Sequence, residues 1–416
     1  MVDRLKNWLL VVLLVIMAGL LGMTMLMNMQ NSRGGEQLMQ VLDPRESSGT
    51  HVDAIAAAYP EKLAVLQENG VFYAVNGEDY ALLYEQIRPL FQEALGSASE
   101  PKSITEAEYR ELLQAPALLI AYHSPQPLYL LQAWSGGEVF WEDLTVRSVL
   151  LTEKAQTAVL LLTDEKGGRW ETGTAASLAD LKTICEKRES NASLAGRRYS
   201  MLSCEELLTD TVVSLPEYAV QKPDFVQKGE LSQNILSLLS MNAYLTRVYR
   251  NSDGSLVYVE SHSTLSTDPE GNLTYSSTQG ASLELAETEE SARRVEICQK
   301  VSSLLQQLWK ETGASGQLSL EEISYNGADT CTLRFGLMAD GRFAEREGDW
   351  AQVTVRRGAV VGVFAALRKM EPAEQTLLLP MQQAAAALAP GTARLCIRLM
   401  QEEDSLVPRI CRVTED

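Results

Sequence analysis

The chain predicts an α+β protein: an N-terminal transmembrane helix, then a mixed α/β N-terminal domain and two helix-plus-antiparallel-meander modules. Three observations carry that prediction. An uncharged apolar run from Trp8 to Met27 opens the chain. Short β-branched and aromatic runs then alternate with amphipathic stretches up to about residue 213. Beyond residue 231 a helical pattern is twice followed by strand patterns separated by glycine-containing tight turns. At 416 residues, 45% hydrophobic and 22% charged, the chain is long enough for several cores and has the composition of a folded protein.

Charge narrows the partners. Thirty-six basic against 55 acidic residues give a formal net charge of -19. Such a surface repels phosphate backbones, so no nucleic acid is expected as a partner. The acidity is read as serving solubility.

Trp8 to Met27 spans about 30 Å at 1.5 Å per residue, the hydrocarbon thickness of a bilayer. A cleaved signal peptide has a shorter apolar core and a small-x-small site, and Met23 to Gln30 offers none. The run is read as a retained anchor. Arg4 and Lys6 precede it and the next basic residue is Arg33, so the positive-inside bias keeps the head (residues 1-30 with the anchor) cytoplasmic and the rest extracellular. Ala18 and Gly22 lie one turn apart, the spacing that lets two membrane helices approach closely, although small residues are common in such helices.

Residues 31-50 are rich in Gly, Ser, Gln and Arg and read as a linker. The N-terminal α+β domain is assigned to 51-214. His51 to Glu68 reads as a broken helix or a helix plus strand, Val71 to Val75 as a strand and Asn76-Gly77 as a turn. Tyr80 to Leu95 repeats apolar residues at helical spacing, and Thr105 caps a second helix with Glu106 and Glu108 in its first turn. Ala117 to Tyr122, Leu128 to Trp134, Val146 to Leu151 and Ala158 to Thr163 read as strands, and Ser177 to Lys187 as a helix.

Residues 215-230, with Pro216 and Pro223, read as an extended connector. The central module, 231-316, opens with a helix over Leu231 to Ser240. A three-strand meander follows: Thr246 to Tyr249, Leu256 to Glu260 and Leu273 to Tyr275, turned at Asp253-Gly254 and Gly271-Asn272. Thr288 is expected to cap the next helix, with Val295, Cys298, Val301, Leu305 and Leu308 on one face and Arg293, Arg294, Glu296 and Lys300 on another; Gly313 ends it. The C-terminal module, 317-416, has strands over Leu318 to Tyr325, Thr330 to Met338, Ala351 to Arg356 and Ala359 to Leu367. A short helix begins at Pro380, and a final hairpin pairs Arg394 to Gln401 with Leu406 to Val413.

A helix ending near Asn242, then Arg247-Val248-Tyr249, Asp253-Gly254, Val257-Tyr258 and the later Gly271-x-Leu273-x-Tyr275, resembles the YycH/YycI family. Val71-Phe72-Tyr73 and the strand Val159 to Leu162 agree in order. The resemblance implies a membrane-anchored accessory regulator of an essential cell-wall sensor histidine kinase, in a complex with a YycI-like sister protein. It also implies that the membrane helix contacts the kinase, so Ala18 and Gly22 are the candidate partner-binding residues.

Chemistry-bearing motifs are sparse. His51, His123 and His262 lie in separate elements without metal-ligand spacing, so no metal, no cofactor and no catalytic residue is proposed. Glu205-Glu206, Glu289-Glu290 and Glu321-Glu322 are adjacent in sequence and read as solvated faces. Of six cysteines, none forms Cys-x-x-Cys; Cys396 and Cys411 sit on opposite arms of the final hairpin, where a bridge is open to them if they face each other, the alternative being buried free thiols. The expected function is therefore regulatory rather than enzymatic: an extracytoplasmic protein that binds a sensor kinase and modulates it in cell-wall homeostasis. The alternatives are a binding or inhibitory module for another envelope protein and, further off, an envelope hydrolase.

Overall fold

The computed structural model describes residues 58–414, apart from 69, 114–115, 140–142, 187, 197–198, 200–201, 224, 227–229, 328 and 389–392. The chain first forms the hairpin of β1 (Lys62–Gln67) and β2 (Gly70–Tyr73), then α1 (Gly77–Gly96). Asn76-Gly77, expected as a turn, starts this helix instead. The Asn76 side chain accepts from the Asp79 N–H, and Glu78 and Asp79 meet the positive end of the dipole.

β3 (Lys102–Ser103) precedes α2 (Glu106–Leu112), which carries a full capping box: Thr105 accepts from the Glu108 N–H and the Glu108 carboxylate accepts from the Thr105 N–H. β4 (Ala117–Pro127) runs into α3 (Leu128–Trp134). The strand expected over Leu128 to Trp134 is thus a helix. A short run that is apolar all round has no period with which to tell the two apart, and this one is buried on nearly every side.

β5 (Thr145–Lys154), β6 (Thr157–Asp164), β7 (Arg169–Gly173), α4 (Leu178–Cys185), β8 (Ala192–Leu194) and β9 (Leu207–Thr209) complete this half. Its nine strands are antiparallel in the order β3-β7-β6-β5-β4-β1-β2-β8-β9. Both faces are covered. Leu118, Ile120 and Leu160 share one apolar cluster with Leu83, Ile87 and Phe91 of α1, while Leu119, Leu150 and Leu161 share a second with Leu207, Leu395 and Ile397. That double burial is why these strands read as continuous apolar runs rather than alternating ones.

The second sheet uses β10 (Val213–Gln221), β11 (Arg247–Arg250), β12 (Leu256–Glu260), β13 (Ser263–Thr267), β14 (Asn272–Ser282), β15 (Gln317–Tyr325), β16 (Thr330–Ala339), β17 (Arg342–Glu345), β18 (Ala351–Arg356), β19 (Ala359–Ala366), β20 (Lys369–Leu378), β21 (Ala393–Glu402) and β22 (Ser405–Thr414). Helices α5 (Gln233–Leu238), α6 (Glu290–Thr312) and α7 (Met381–Ala386) accompany it. The order is β11-β12-β13-β14-β19-β18-β16-β17-β21-β22-β10-β20, with β15 beside β16.

Several expectations change here. The three-strand meander has four strands, β13 being the addition. The connector assigned to 215–230 begins inside β10, which pairs with β20 and β22. The central and C-terminal modules share one sheet, because β14 pairs with β19. The N-cap of α6 is Glu289 rather than Thr288, while Gly313 ends the helix in the left-handed region as expected (φ 69°). Glu296 and Lys300 do not face solvent. The Glu296 carboxylate accepts from the Ala286 and Glu287 N–H groups at 3.0 Å, and Lys300 donates to the carbonyls of Leu283 and Glu284 at 2.8 and 2.6 Å. The two side chains fasten the segment after β14 onto the helix.

Candidate functional site

The two sheets meet across a line of charge. Glu61 and Lys62 stand at the start of β1, a central strand of the first sheet; Arg394 and Arg398 project from the same face of β21 in the second. Glu61 is almost wholly buried, and its carboxylate lies 3.0 Å from Arg398 Nε, 3.8 Å from Arg394 Nη2 and 3.6 Å from His123 Nδ1. On its other side His123 Nε2 lies 3.4 Å from Glu321 Oε1 of β15, and the imidazole stacks on the Phe343 ring of β17 at 3.4 Å. Arg398 also reaches Glu345. Lys62 pairs with Glu206 and donates to the Leu395 carbonyl at 2.6 Å.

Neutral contacts close the same seam. The Tyr59 N–H donates to Ser319 Oγ at 3.0 Å, Gln126 Nε2 to the Leu320 carbonyl at 2.8 Å, and Arg342 Nη1 to the Val75 carbonyl at 2.7 Å. At the Asp340-Gly341 turn, where φ is 72° at the glycine, a Cβ would stand 2.3 Å from the Tyr80 ring of α1. Only glycine fits there.

Electrostatics favour the charged forms of both groups. Burial alone would raise the Glu61 carboxyl, but His123, Arg398 and Arg394 outweigh it and hold the group well below the usual carboxylate range. At 3.6 Å the His123 contribution is a charge contact rather than a hydrogen bond. Burial would lower His123, yet Glu321 and Glu61 together raise it above its ordinary value. His123 therefore stands between a carboxylate from each sheet, and both favour its protonated form. Such an arrangement couples the positions of the two sheets, since separating them strands buried charge.

Sequence reasoning missed this site. Of the paired glutamates, Glu205, Glu206 and Glu321 are not solvated: Glu206 takes Lys62, Glu205 takes Arg169 at 3.0 Å and Ser148 at 2.8 Å, and Glu321 takes His123, whereas Glu289, Glu290 and Glu322 are exposed as expected. Two arginines on one face of an otherwise apolar strand, Arg394-x-x-x-Arg398, were the available signal. Of the other histidines, His262 is exposed, and His51 lies outside the described residues. Among the described residues no cluster of His, Cys, Asp or Glu could hold a metal ion.

Cys396 and Cys411 are direct register partners in the final hairpin, and both thiols are free. Cys396 is buried beside Glu61 and its Sγ points to the Cys411 carbonyl at 3.8 Å. Ala18, Gly22 and the apolar span lie outside the described residues, among which no helix is long and apolar enough to cross a membrane.

No family model matches the chain, and no curated protein does. A solved structure, YycH from Bacillus subtilis, is similar with a TM-score of 0.57 at 12% identity, over 88% of this chain and 98% of that one. The chain has a YycH-like fold. An uncharacterized protein from Eubacterium rectale ATCC 33656 aligns with a TM-score of 0.29 over 49% of this chain and 77% of its own, too low to carry an argument.

Proposed function

We propose that this protein is a membrane-anchored extracytoplasmic regulator that binds a two-component sensor histidine kinase and modulates its activity in cell-wall homeostasis, alongside a YycI-like sister protein. The observation that carries the reading is the likeness to YycH over 88% of the chain, at a length that takes in 98% of that protein. The short motifs around Arg247 to Tyr275 point the same way. In this reading residues 8–27 cross the bilayer and pack beside the kinase's membrane helices, with Ala18 and Gly22 at the contact. The folded part lies outside the cell, its two sheets held against each other by the buried charges between them. A regulator of this kind acts only if it contacts the two kinase states differently.

The test is a photoreactive residue placed at Ala18 or Gly22 in the full chain, with irradiation in native membranes. A crosslink to a sensor kinase from those positions, and not from the opposite helix face, supports the reading. Crosslinks to lipid alone from every position would sink the membrane-helix mechanism.

A further inference from the structure

His123 stands where two strand irregularities face each other. β4 loses its register with β5 between Ala121 and Gln126, and His123 sits in that unpaired stretch. On the second sheet β15 shifts register against β16 between Leu320 and Glu322, which makes Glu321 the extra residue of a bulge. A bulge re-aims a side chain, and this one brings a carboxylate oxygen to 3.4 Å from His123 Nε2. Among the described strands β15 pairs with β16 alone; its other contacts of this kind come from Tyr59 and Gln126 of the first sheet, which bond to Ser319 and to the Leu320 carbonyl. The charge contact thus belongs to a short clasp between an outer strand of the second sheet and the first sheet.

The charges around the clasp balance only when the imidazole is protonated. Glu61 before β1, Glu321 on β15 and Glu345 on β17 supply three negative charges, and Arg394 and Arg398 on β21 supply two positive ones. An imidazolium makes three against three, whereas a neutral imidazole leaves one carboxylate over. Nearby charges are engaged elsewhere: Lys62 with Glu206, Arg334 with Glu322 and Asp349, and Arg147, across from this stretch on β5, with a partner of its own. Burial pushes up the thiols of Cys396 and Cys411 and the phenols of Tyr73 and Tyr122, so none of these carries charge where histidine titrates. When the imidazole is neutral, Glu61 and Glu345 still share Arg398. Glu321 is left with the field of Arg334, whose exposed guanidinium already serves Glu322 and Asp349.

We propose that His123 is a proton-operated catch: when charged it fastens β15 to the first sheet through Glu321, and when neutral it lets β15 open while Glu61 stays with Arg394 and Arg398. The His123 side chain is 17% exposed, so protons reach it without unfolding. Neither His123 Nδ1 nor Glu61 Oε2 has a hydrogen-bond partner among the described residues, so these contacts depend on charge rather than on directed bonds. What the proton controls is the opening of one outer strand, which needs no unfolding of the rest. The inference goes beyond the kinase reading and does not need it. Failure to find a kinase would leave the catch standing.

The experiment follows amide hydrogen exchange of the full chain in detergent micelles from about pH 5.5 to about pH 9, corrected for the intrinsic pH dependence of exchange. An NMR titration of isotope-labelled histidines runs beside it, with His123→Gln supplying the assignment. We expect the protection of β15 to begin falling near the ordinary histidine value of 6.5 and to level off once the His123 imidazole has lost its proton. The fall should not exceed about tenfold per pH unit, because a single proton is involved. Exchange of β15 should also be faster than that of β5, β6, β18 and β19 and insensitive to low denaturant, as a local opening is. Glu321→Gln should flatten the fall in β15 while the histidine still titrates. His123→Arg, whose planar guanidinium can stack on Phe343 and keeps its charge, should hold β15 protected at alkaline pH; if that variant does not fold, the wild type and Glu321→Gln decide. Protection of β15 that stays constant while His123 titrates, or a fall that persists in Glu321→Gln, overturns the proposal. Protection of β15 equal to that of the central strands at every pH also overturns it, since the strand would then leave only with the whole fold.

Discussion

Glu61 is the residue on which the seam turns, because one buried carboxylate faces two guanidinium groups and an imidazole. Glu61→Gln leaves Arg394 and Arg398 without their shared counter-charge, and breaking a buried pair from one side costs about 3–5 kcal/mol. Chemical denaturation of the variant checks this. His123 adds a pH dependence whose sign follows from its raised pKa. Its contribution is fully present below the ordinary histidine value of 6.5 and is lost as pH rises through the higher folded-state value. We therefore expect the stability difference between the wild type and His123→Gln to be largest in mild acid and to shrink toward alkaline pH. A difference that grows with pH would contradict the bridge. We also propose that Cys396 and Cys411, opposed in register, form a disulfide when an external oxidant accepts the two hydrogens. Non-reducing peptide mapping after oxidation should find the 396–411 link, and its absence would leave them as free thiols, Cys396 buried and Cys411 partly so. The two cysteines were legible in sequence as opposite arms of one hairpin, but Glu61 and His123 were not, since a lone histidine and scattered charges carry no spacing that says which of them meet across a fold.

Elements were more legible, for reasons that particular residues supply. Thr105, Glu106 and Glu108 marked a helix start because a capping box satisfies two backbone donors within four residues of sequence. Gly313 marked an end because only glycine takes φ 69° without cost. The misses have causes too. β20 was overlooked because Glu371, Pro372, Glu374 and Gln375 look like loop, yet as an outer strand it needs few apolar residues. β13 was overlooked because Leu265 is its one apolar side chain. Thr105→Ala should remove about 1 kcal/mol from thermal stability, while leaving the rest of the first sheet unchanged. Gly341→Ala should do more than add backbone strain: its Cβ would strike the Tyr80 ring, so the loss should appear as weakened protection at both α1 and the β16–β17 turn in hydrogen exchange. Weakening at the turn alone would mean that the two sheets are not held against each other there.

At the scale of the whole molecule the sequence showed the two kinds of layer but not their joining. Modules expected in series share one sheet through β14 and β19, and β10 belongs to the second sheet although it follows the first in the chain. Local patterns report a strand's own faces; which distant strand it pairs with depends on registers that only the folded chain displays. The regulator reading rests at this same scale, on the extent of the shared YycH fold. Its most direct test is co-purification of the tagged full chain from native membranes in mild detergent, beside a version in which residues 8–27 are replaced by an unrelated apolar span. We expect a sensor histidine kinase with the native chain and its loss or marked depletion with the replacement; no kinase in either sample would contradict the central claim.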